Sequence, residues 1–194
     1  MMYFAPGRLA FKAEGAGKTR IFAIPNAVKQ ALLRPAHDWC MSVLRLIPMD
    51  DTFDQVRPLD SCPGSARSSP SVSRVVRFAT GQPLGFLSSW PLFALCHHFV
   101  LWYCADKVYP SRVFRKYALL GDDIVIADPR VADVYQSVIN ALGVKISLPK
   151  SLISDIGGCE FAKRFRICDR DLSPVSVKML RAARHAVAWM PVCK

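Results

Sequence analysis

The stretch YALLGDDIVIAD, residues 117–128, decides the fold of this chain. Apolar runs on both sides of the tripeptide Gly121-Asp122-Asp123 are rich in side chains that favour strands. A glycine followed by adjacent carboxylates between two such runs is typical of a tight turn. The pattern therefore predicts a β-hairpin that carries Gly121, Asp122 and Asp123 at its tip.

Adjacent carboxylates at a rigid tip suit divalent cations. Mg²⁺ prefers carboxylate and phosphate oxygens as ligands, and two such ions can hold both oxygens of an in-line phosphoryl displacement. Gly-Asp pairs also occur in ordinary turns that have no catalytic role. The tripeptide alone therefore leaves a catalytic and a purely structural interpretation open.

The composition indicates a polyanionic partner. The chain has 194 residues, the length of one domain, and a formal net charge of +11 from 26 Lys and Arg against 15 Asp and Glu. Such an excess favours binding to a nucleic acid backbone. The seven cysteines form no C-x-x-C pair and leave one unpaired, which argues against a zinc site and against a secreted disulfide framework. A reducing cell interior or an organelle fits this composition.

Residues 84–105, LGFLSSWPLFALCHHFVLWYCA, carry no formal charge over 22 positions. This length meets the threshold for a membrane-spanning helix. Pro91, the His97-His98 pair and two serines argue against a span, because polar groups are costly in lipid. A buried helix in a globular core explains the stretch equally well.

The chain divides into three parts. Residues 1–56 begin with a basic, loop-like segment and continue with a helical region from Ala27 to Leu46, which we expect to be interrupted near Pro35. Residues 57–75 are rich in Ser, Pro and Arg and predict a flexible linker. Residues 76–194 return to ordered patterns. Besides the uncharged helix and the acidic hairpin, they predict a helix near Val131–Leu142, a strand at Val144–Ser147, short strands around Cys159–Ile167 and a closing helix near Val175–Ala188.

The loop TGQPLGFLSSW lies just before the uncharged helix. Gly81, Gln82 and Gly85 would allow a sugar to approach the backbone closely. Ser88 and Ser89 fall in the first helical turn, where hydroxyls and free N–H groups suit phosphate or ribose. A plain turn followed by helix-capping serines is the alternative interpretation.

Three basic side chains stand close to glycine-bearing segments. Lys18 and Arg20 flank Thr19 in AGKTR, and Lys150 follows the predicted strand in VKISLPKS. Each is a candidate to contact phosphate, although most such lysines are solvated surface charges.

In this order, the motifs resemble those of the RNA-directed RNA polymerases of mitoviruses, small capsidless viruses that replicate in mitochondria, and their endogenised copies in plant genomes. The resemblance covers roughly residues 7–56 and 76–185. It is carried by GRLAFKAEGAGKTRIFAIPN with the following Gln30 and RPAHD, then TFDQ, GQPLGFLSSW with the histidine pair, YALLGDDIVIAD, LGVKISLPKS and GCEFAKRF.

The resemblance implies an α+β fold, a partial right-hand polymerase palm whose antiparallel sheet carries the GDD hairpin packed on helices, with a fragment of fingers. It implies RNA template and nucleoside triphosphates as partners, Mg²⁺ or Mn²⁺ as cofactor, and no stable membrane insertion. Asp122 and Asp123 match the metal-binding aspartates, and Lys150 matches a position near the leaving pyrophosphate. Gly81, Gln82, Gly85, Ser88 and Ser89 match the motif for template and ribose, and Lys18 and Arg20 match the basic motif that neutralises the triphosphate.

One family motif has no counterpart here. Between TFDQ and the GQP loop, mitoviral polymerases carry an acidic motif similar to S-F-D-L-S-A-A-T-D-R, whose first aspartate bridges both metal ions. Residues 56–80 fill that interval, and none of them reproduces the motif. Asp54 aligns with TFDQ and Asp60 lies in the linker, so neither is expected to replace it. We interpret the interval as a deletion or a frameshift join.

This departure predicts a loss of activity. Carboxylates on one side alone cannot complete two octahedral Mg²⁺ sites, and the loss of a palm strand is expected to leave an exposed sheet edge. Much of the N-terminal fingers and the C-terminal thumb is also expected to be missing. The chain is therefore interpreted as a degenerate, inactive polymerase remnant.

Three other interpretations stay open. They are a working polymerase or a partner that supplies half a palm, a non-catalytic RNA-binding protein, and a single-span mitochondrial membrane protein. A mitochondrial location is expected from the resemblance. Because family-like sequence begins by Gly7, a reading frame in mitochondrial DNA is expected rather than import through a removable leader.

Overall fold

The computed structural model describes residues 7–13, 19–53, 81, 83–144, 146, 151–152, 154, 158–161, 164–167 and 170–174. The chain divides into two compact units, Met1–Val138 and Ile139–Lys194. The predicted linker at residues 57–75 and the predicted closing helix at 175–188 lie outside the described residues.

Three helices and three small antiparallel sheets make up the described structure, in agreement with the expected α+β class. The helices are α1 (Ala27–Leu44), α2 (Ser89–Val108) and α3 (Pro129–Ala141). The paired strands are β1 (Gly7–Ala13) with β2 (Thr19–Pro25), β3 (Tyr117–Leu120) with β4 (Asp123–Ile126), and β5 (Gly158–Phe161) with β6 (Arg164–Ile167) and β7 (Arg170–Asp171).

Helix α1 begins at an Asn cap and runs through the expected interruption. Asn26 Oδ1 accepts a hydrogen bond from the Lys29 N–H at 2.9 Å, which satisfies one free donor of the first turn. Pro35 lies inside the helix, so the expected break near this residue is wrong. Pro35 and Ala31 are both exposed. The carbonyl group that loses its partner to the proline ring therefore lies on the solvent side, where water can hydrate it.

Helix α1 carries apolar side chains on two parts of its surface, and only one of these parts is buried. Cys40 and Leu44 are fully buried and pack with Ala94 and Leu95 of α2. The opposite side exposes large apolar side chains at positions i, i+4 and i+11, which fall on one helix face; these are Val28, Leu32 and Trp39.

Helix α2 is the centre of the first unit. Leu101 and Cys104 are fully buried, and they pack with Leu119 of β3 and Val131 of α3. The uncharged stretch therefore forms a core helix, as one of the two sequence interpretations predicted. No helix among the described residues is long and apolar enough to cross a membrane.

The acidic hairpin has a tighter turn than predicted. Leu120 pairs with Asp123, so the loop has two residues, Gly121 and Asp122. Gly121 has φ 60°, whereas Asp122 is not among the residues with positive φ. This combination, with glycine first, matches a type II′ turn, which suits the twist of a hairpin. The prediction that both carboxylates lie in the turn is therefore wrong for Asp123, which is the first residue of β4.

The outer edge of β3 is covered at its centre. The segment Met49–Asp51 runs parallel to β3: the Leu119 N–H donates to Met49 O, and the Asp51 N–H donates to Leu119 O, both at 3.0 Å. Such a parallel pair requires a long crossover, which here contains α2. A short segment upstream of residues 56–80 thus occupies a strand position beside β3 at Leu119. Strand β4 has no second partner strand among the described residues.

The second unit contains a three-stranded antiparallel sheet in the order β5-β6-β7. The strands predicted around Cys159–Ile167 agree with β5 and β6. Val144 and Ile146, the described residues of the strand predicted at 144–147, belong to no strand. The Val144 N–H instead bonds to Ile139 O at 3.1 Å, as part of the end of α3.

Substitution of Gly121 by Ala should destabilise the protein more than substitution of Gly81. Both glycines have left-handed backbone, with φ 60° and 68°, and an alanine there costs about 1–2 kcal/mol. A Cβ at Gly121 would overlap the Trp90 ring, whereas a Cβ at Gly81 would meet nothing within 4 Å. Displacing the ring should add about 1–3 kcal/mol for Gly121→Ala. Urea unfolding of both variants measures the difference, and equal losses would contradict the assigned packing of Trp90.

Candidate functional site

The acidic turn presents its two carboxylates to solvent. Asp122 and Asp123 are both exposed. Asp122 lies in the turn and Asp123 begins β4, where successive side chains point to opposite faces of the sheet. Among the described residues, no group of three His, Cys, Asp or Glu side chains lies close enough to hold a metal ion.

His97 of α2 makes a hydrogen bond to the backbone of this turn. Its Nδ1 lies 2.8 Å from Gly121 O and its Nε2 lies 2.6 Å from the Tyr135 hydroxyl. A carbonyl oxygen only accepts, so Nδ1 carries the hydrogen and donates to Gly121. In the neutral ring, Nε2 then accepts the hydroxyl hydrogen of Tyr135, a residue of α3. The histidine thus joins the acidic turn to two helices.

The surroundings of His97 favour the neutral ring. Burial is the main cause that lowers its pKa below the ordinary value, and the nearby His98 acts in the same direction. The hydrogen bond to Gly121 and the charge of Asp122 oppose this shift. Burial also raises the pKa of Tyr135 to about 12. The bond between the two rings therefore joins a neutral imidazole and a neutral phenol near pH 7.

The neighbouring histidine makes a second, fully buried network. His98 Nε2 lies 3.0 Å from Asp50 Oδ2, and His98 Nδ1 lies 2.9 Å from the Tyr117 hydroxyl. That hydroxyl already accepts the indole N–H of Trp102 at 2.7 Å, so its own hydrogen is available to His98. Asp50 Oδ1 in turn accepts the Thr52 N–H at 3.0 Å. This network fixes the Met49–Asp51 segment beside β3.

Sequence reasoning did not assign these roles to the histidine pair or to Asp50. The available signal was the occurrence of two polar rings in a helix otherwise made of apolar residues, since buried polar groups need hydrogen-bond partners. The partners themselves are 19 to 48 positions away in the chain, so no local pattern could have identified them.

The GQP loop packs along the edge of the β1–β2 ribbon. The Ala23 N–H donates to Leu84 O at 2.7 Å. Gly85 has φ 107°, and a Cβ there would overlap the Ala23 carbonyl oxygen. The glycine is therefore required for this close approach of two backbones, whereas the sequence analysis assigned it to the approach of a sugar.

Two side chains of α1 hold the same loop. Gln30 accepts the Leu87 N–H at 2.9 Å and donates to Gly85 O at 3.2 Å. His37 Nδ1 lies 2.9 Å from Leu87 O, which requires that this nitrogen donates. These contacts make Gln30 a positioning residue for the loop, a role that its place in the family-like segment did not reveal.

The remaining predicted site residues are placed as follows. Ser88 is the N-terminal cap residue of α2 and is fully buried. The Ser89 hydroxyl donates to Phe86 O at 2.9 Å. Gly81 is exposed at the start of the loop, and Arg20 is exposed on β2, directly opposite Lys12 of β1. Lys18, Gln82 and Lys150 lie outside the described residues.

The GQP loop thus contacts the β1–β2 ribbon that carries Arg20. The acidic turn is hydrogen-bonded to α2. A family model for mitovirus RNA-dependent RNA polymerase matches residues 2–69 and 66–192. The chain belongs to this family.

The relatives of this polymerase-family chain are viral and mitochondrial. The RNA-directed RNA polymerase of Cryphonectria parasitica mitovirus 1 is 31% identical over 205 positions, which cover 82% of this chain and 25% of that polymerase. Two uncharacterized mitochondrial proteins of Arabidopsis thaliana are 52% and 59% identical, over 62% and 40% of this chain. The chain spans 49% and 38% of their lengths. No solved structure matches.

The alignment with the viral polymerase has more positions than this chain has residues in it. It is 205 positions long, but 82% of this chain amounts to about 159 residues. Roughly 46 positions of the alignment therefore have no residue from this chain. The two stretches that match the family model meet at residues 66–69, within the interval where the acidic motif was expected.

Stability should fall at mildly acidic pH because of His97. Its pKa in the folded protein is lowered from 6.5, so the unfolded chain binds the proton more tightly. The contribution of His97 to the free energy of unfolding is complete above pH 6.5 and is lost as the pH falls towards the pKa of the folded protein. The free energy of unfolding falls by at most about 1.4 kcal/mol per pH unit.

The variant His97→Asn tests this pH dependence, because the asparagine amide retains a donor for Gly121 but does not titrate. Its free energy of unfolding, measured by urea titration between neutral and mildly acidic pH, should change less with pH than that of the unmodified protein. Tyr135→Phe is the control that retains the titrating ring. Equal pH slopes in the unmodified protein and His97→Asn would contradict the role given to His97.

Proposed function

We propose that the chain is a remnant of a mitovirus-type RNA-directed RNA polymerase that no longer catalyses nucleotidyl transfer. In this proposal, residues 1–56 derive from the fingers, residues 57–75 contain the join, and residues 76–194 form a partial palm. The observation that carries the proposal is the interval between TFDQ and the GQP loop, which lacks the acidic motif. The roughly 46 unmatched positions and the meeting of the two family matches at residues 66–69 support it.

The residues at the acidic turn do not fit a two-metal site. Two-metal phosphoryl transfer needs carboxylates that face each other across both ions. Asp122 and Asp123 belong to one hairpin, and no group of three His, Cys, Asp or Glu side chains among the described residues could hold a metal ion. In the neighbouring Met49–Asp51 segment, Asp50 is buried and its carboxylate contacts His98. In the proposal, Asp122, Asp123 and Lys150 keep the family's positions without its chemistry. Mg²⁺ or Mn²⁺ would bind weakly, as to any exposed pair of carboxylates.

In this proposal, the residues of the RNA- and nucleotide-binding motifs are retained, whereas the catalytic metal site is not. Gly81, Gln82, Gly85, Ser88 and Ser89 would form what is left of the template and ribose motif, and Lys18 and Arg20 what is left of the triphosphate motif. RNA and nucleoside triphosphates are the partners that these elements imply. A mitochondrial location is proposed because the Arabidopsis relatives are mitochondrial proteins.

A second candidate function, RNA binding without catalysis, is favoured by the register of the β1–β2 ribbon. Lys12 lies directly opposite Arg20, and both side chains are exposed. Two cationic side chains at opposed positions of a ribbon form a charge pair that suits a phosphate backbone. Arg8 is also exposed and lies on the same face, four residues before Lys12.

The purified protein should extend no primer on an RNA template. Synthesis with Mg²⁺ or Mn²⁺ should not exceed that of Asp122→Ala/Asp123→Ala, because one side of the metal site is absent. Synthesis that Asp122→Ala abolishes would overturn the proposal.

A chimera provides the positive control. Residues 56–80 are replaced by the corresponding interval of the Cryphonectria mitovirus polymerase, and Mn²⁺ binding is followed by electron paramagnetic resonance. The chimera should bind Mn²⁺ about tenfold more tightly than the unmodified chain, since an opposing carboxylate is restored. Asp122→Asn should remove this gain.

RNA binding should depend on the ribbon. The variant Lys12→Gln/Arg20→Gln should bind single-stranded RNA more weakly in fluorescence anisotropy. The slope of log affinity against log salt should fall by about 1.4, since each lost phosphate contact on a single strand removes about 0.7. Arg34→Gln/Arg45→Gln removes the same charge from α1 and its C-terminal cap, and it serves as the control. Equal effects of the two double variants would contradict a role for the ribbon.

A further inference from the structure

The loop between α2 and β3 forms a basic cavity that lies outside the motifs described above, apart from Asp128 at the end of the acidic-hairpin stretch. It is open to solvent and has a volume of about 330 Å³. Its lining combines three cationic side chains with aromatic and aliphatic ones, and consists of Tyr109, Arg112, Val113, Phe114, Arg115, Lys116 and Asp128.

The shape of this basic cavity is set by ring packing and by a constrained turn. The rings of Tyr109 and Phe114 stack with centroids 6.3 Å apart, and Phe114 stacks on Tyr117 of the core at 6.1 Å. Ser111 has φ 59°, a conformation that costs a non-glycine residue energy. Its N–H bonds to Asp106 Oδ1 at 3.0 Å, which holds the turn. The cavity is therefore preformed rather than created by a ligand.

The cavity keeps a net positive charge, because its lining holds three cationic side chains and one carboxylate, Asp128. Arg112, Arg115 and Lys116 are exposed, and no carboxylate of the described part of the chain forms an ion pair with them. Asp128 is buried and accepts hydrogen bonds from the Tyr109 hydroxyl at 2.6 Å and from the Arg130 N–H at 3.1 Å. These contacts direct its carboxylate to Tyr109 and to the start of α3.

The cavity lies at the far end of the hairpin from the acidic turn. Lys116 O accepts the Ala127 N–H at 2.9 Å, where the two strands enter and leave. Gly121 is five residues along β3 from Lys116, which corresponds to roughly 17 Å of extended chain. A ligand of this cavity would therefore bind at a place separate from Asp122 and Asp123.

We propose that the basic cavity binds the phosphodiester backbone of RNA through Arg112, Arg115 and Lys116. The inference rests on the proposed association of this chain with RNA. Guanidinium groups offer paired N–H donors that match phosphate oxygens, and a concave cavity of this size accommodates a phosphate with its ribose.

Contacts to bases are not part of the proposal. Phe114 covers one face of the Tyr109 ring, and the Arg130 guanidinium lies over that ring at 4.8 Å from its centroid. These contacts within the protein compete with the stacking of a base on the Tyr109 ring. Recognition at this cavity should be independent of RNA sequence.

An anionic membrane is the main alternative ligand for such a cavity. Val113 is 81% exposed, but it is the only large apolar side chain of the cavity lining that is exposed to this extent in the described residues. Insertion into a bilayer needs a continuous apolar face in addition to cations. The geometry therefore favours RNA.

The test compares double variants that remove the same charge. Arg112→Gln/Arg115→Gln should weaken binding of single-stranded RNA about tenfold at low salt and lower the salt slope by about 1.4. Arg34→Gln/Arg45→Gln should bind as the unmodified protein does. Arg112→Lys/Arg115→Lys, which retains the charge but not the paired guanidinium donors, should restore the salt slope and only part of the affinity. Because these side chains are exposed, thermal unfolding of each variant should match the unmodified protein.

Photocrosslinking locates the contact directly. RNA whose phosphorothioate groups carry an azidophenacyl photocrosslinker should crosslink to residues 109–116, as identified by mass spectrometry of the digested protein. If Lys12→Gln/Arg20→Gln weakens RNA binding while the cavity variant behaves as the control, the inference fails and the proposed RNA binding stands. If the unmodified protein does not bind RNA at low salt, both fail. Loss of binding to phosphatidylglycerol vesicles, with RNA binding intact, would assign the cavity to lipid and overturn the inference.

Discussion

Adjacent histidines on one buried helix organise the first unit of this protein. Helix α2 has no formal charge along its buried length, so the two imidazole rings are the strongest polar groups inside it. A buried polar group costs free energy unless it is hydrogen-bonded. His97 meets this requirement with the backbone of the acidic turn, and His98 meets it with Asp50. The need of both imidazole rings for hydrogen-bond partners thus positions the acidic turn and the Met49–Asp51 segment.

This arrangement explains how the hairpin can persist without the family's acidic motif. Trp90, His97 and Tyr135 support the turn from the protein side, and Met49–Asp51 hydrogen-bonds to Leu119 on the outer edge of β3. None of these contacts uses a metal ion. The same contacts leave Asp50 buried, so this carboxylate serves the core. In the proposed remnant, these contacts would support the hairpin with or without a bound metal ion.

Opposite charges lie at the two ends of the acidic hairpin. Two exposed carboxylates stand at its turn, and Arg112, Arg115 and Lys116 stand at its open end. With a formal net charge of +11, the chain would attract a polyanion towards its basic faces. Under the proposals made above, RNA would contact the ribbon and the basic cavity, while the acidic turn would contribute repulsion unless cations are bound.

Local pattern was sufficient for the position of the acidic hairpin, for the core helix α2 and for most of α1, because apolar periodicity and turn residues act over a few positions. The family could also be recognised from the order of short motifs. The tertiary structure decided which carboxylate lies in the turn, why Pro35 is tolerated, what covers β3, and why Gly85 is a glycine. Those outcomes depend on groups far apart in the chain, such as Leu119 with Met49 or Gly85 with Ala23. Hydrogen bonds and steric contacts of this kind form only after packing, so no window of sequence contains them.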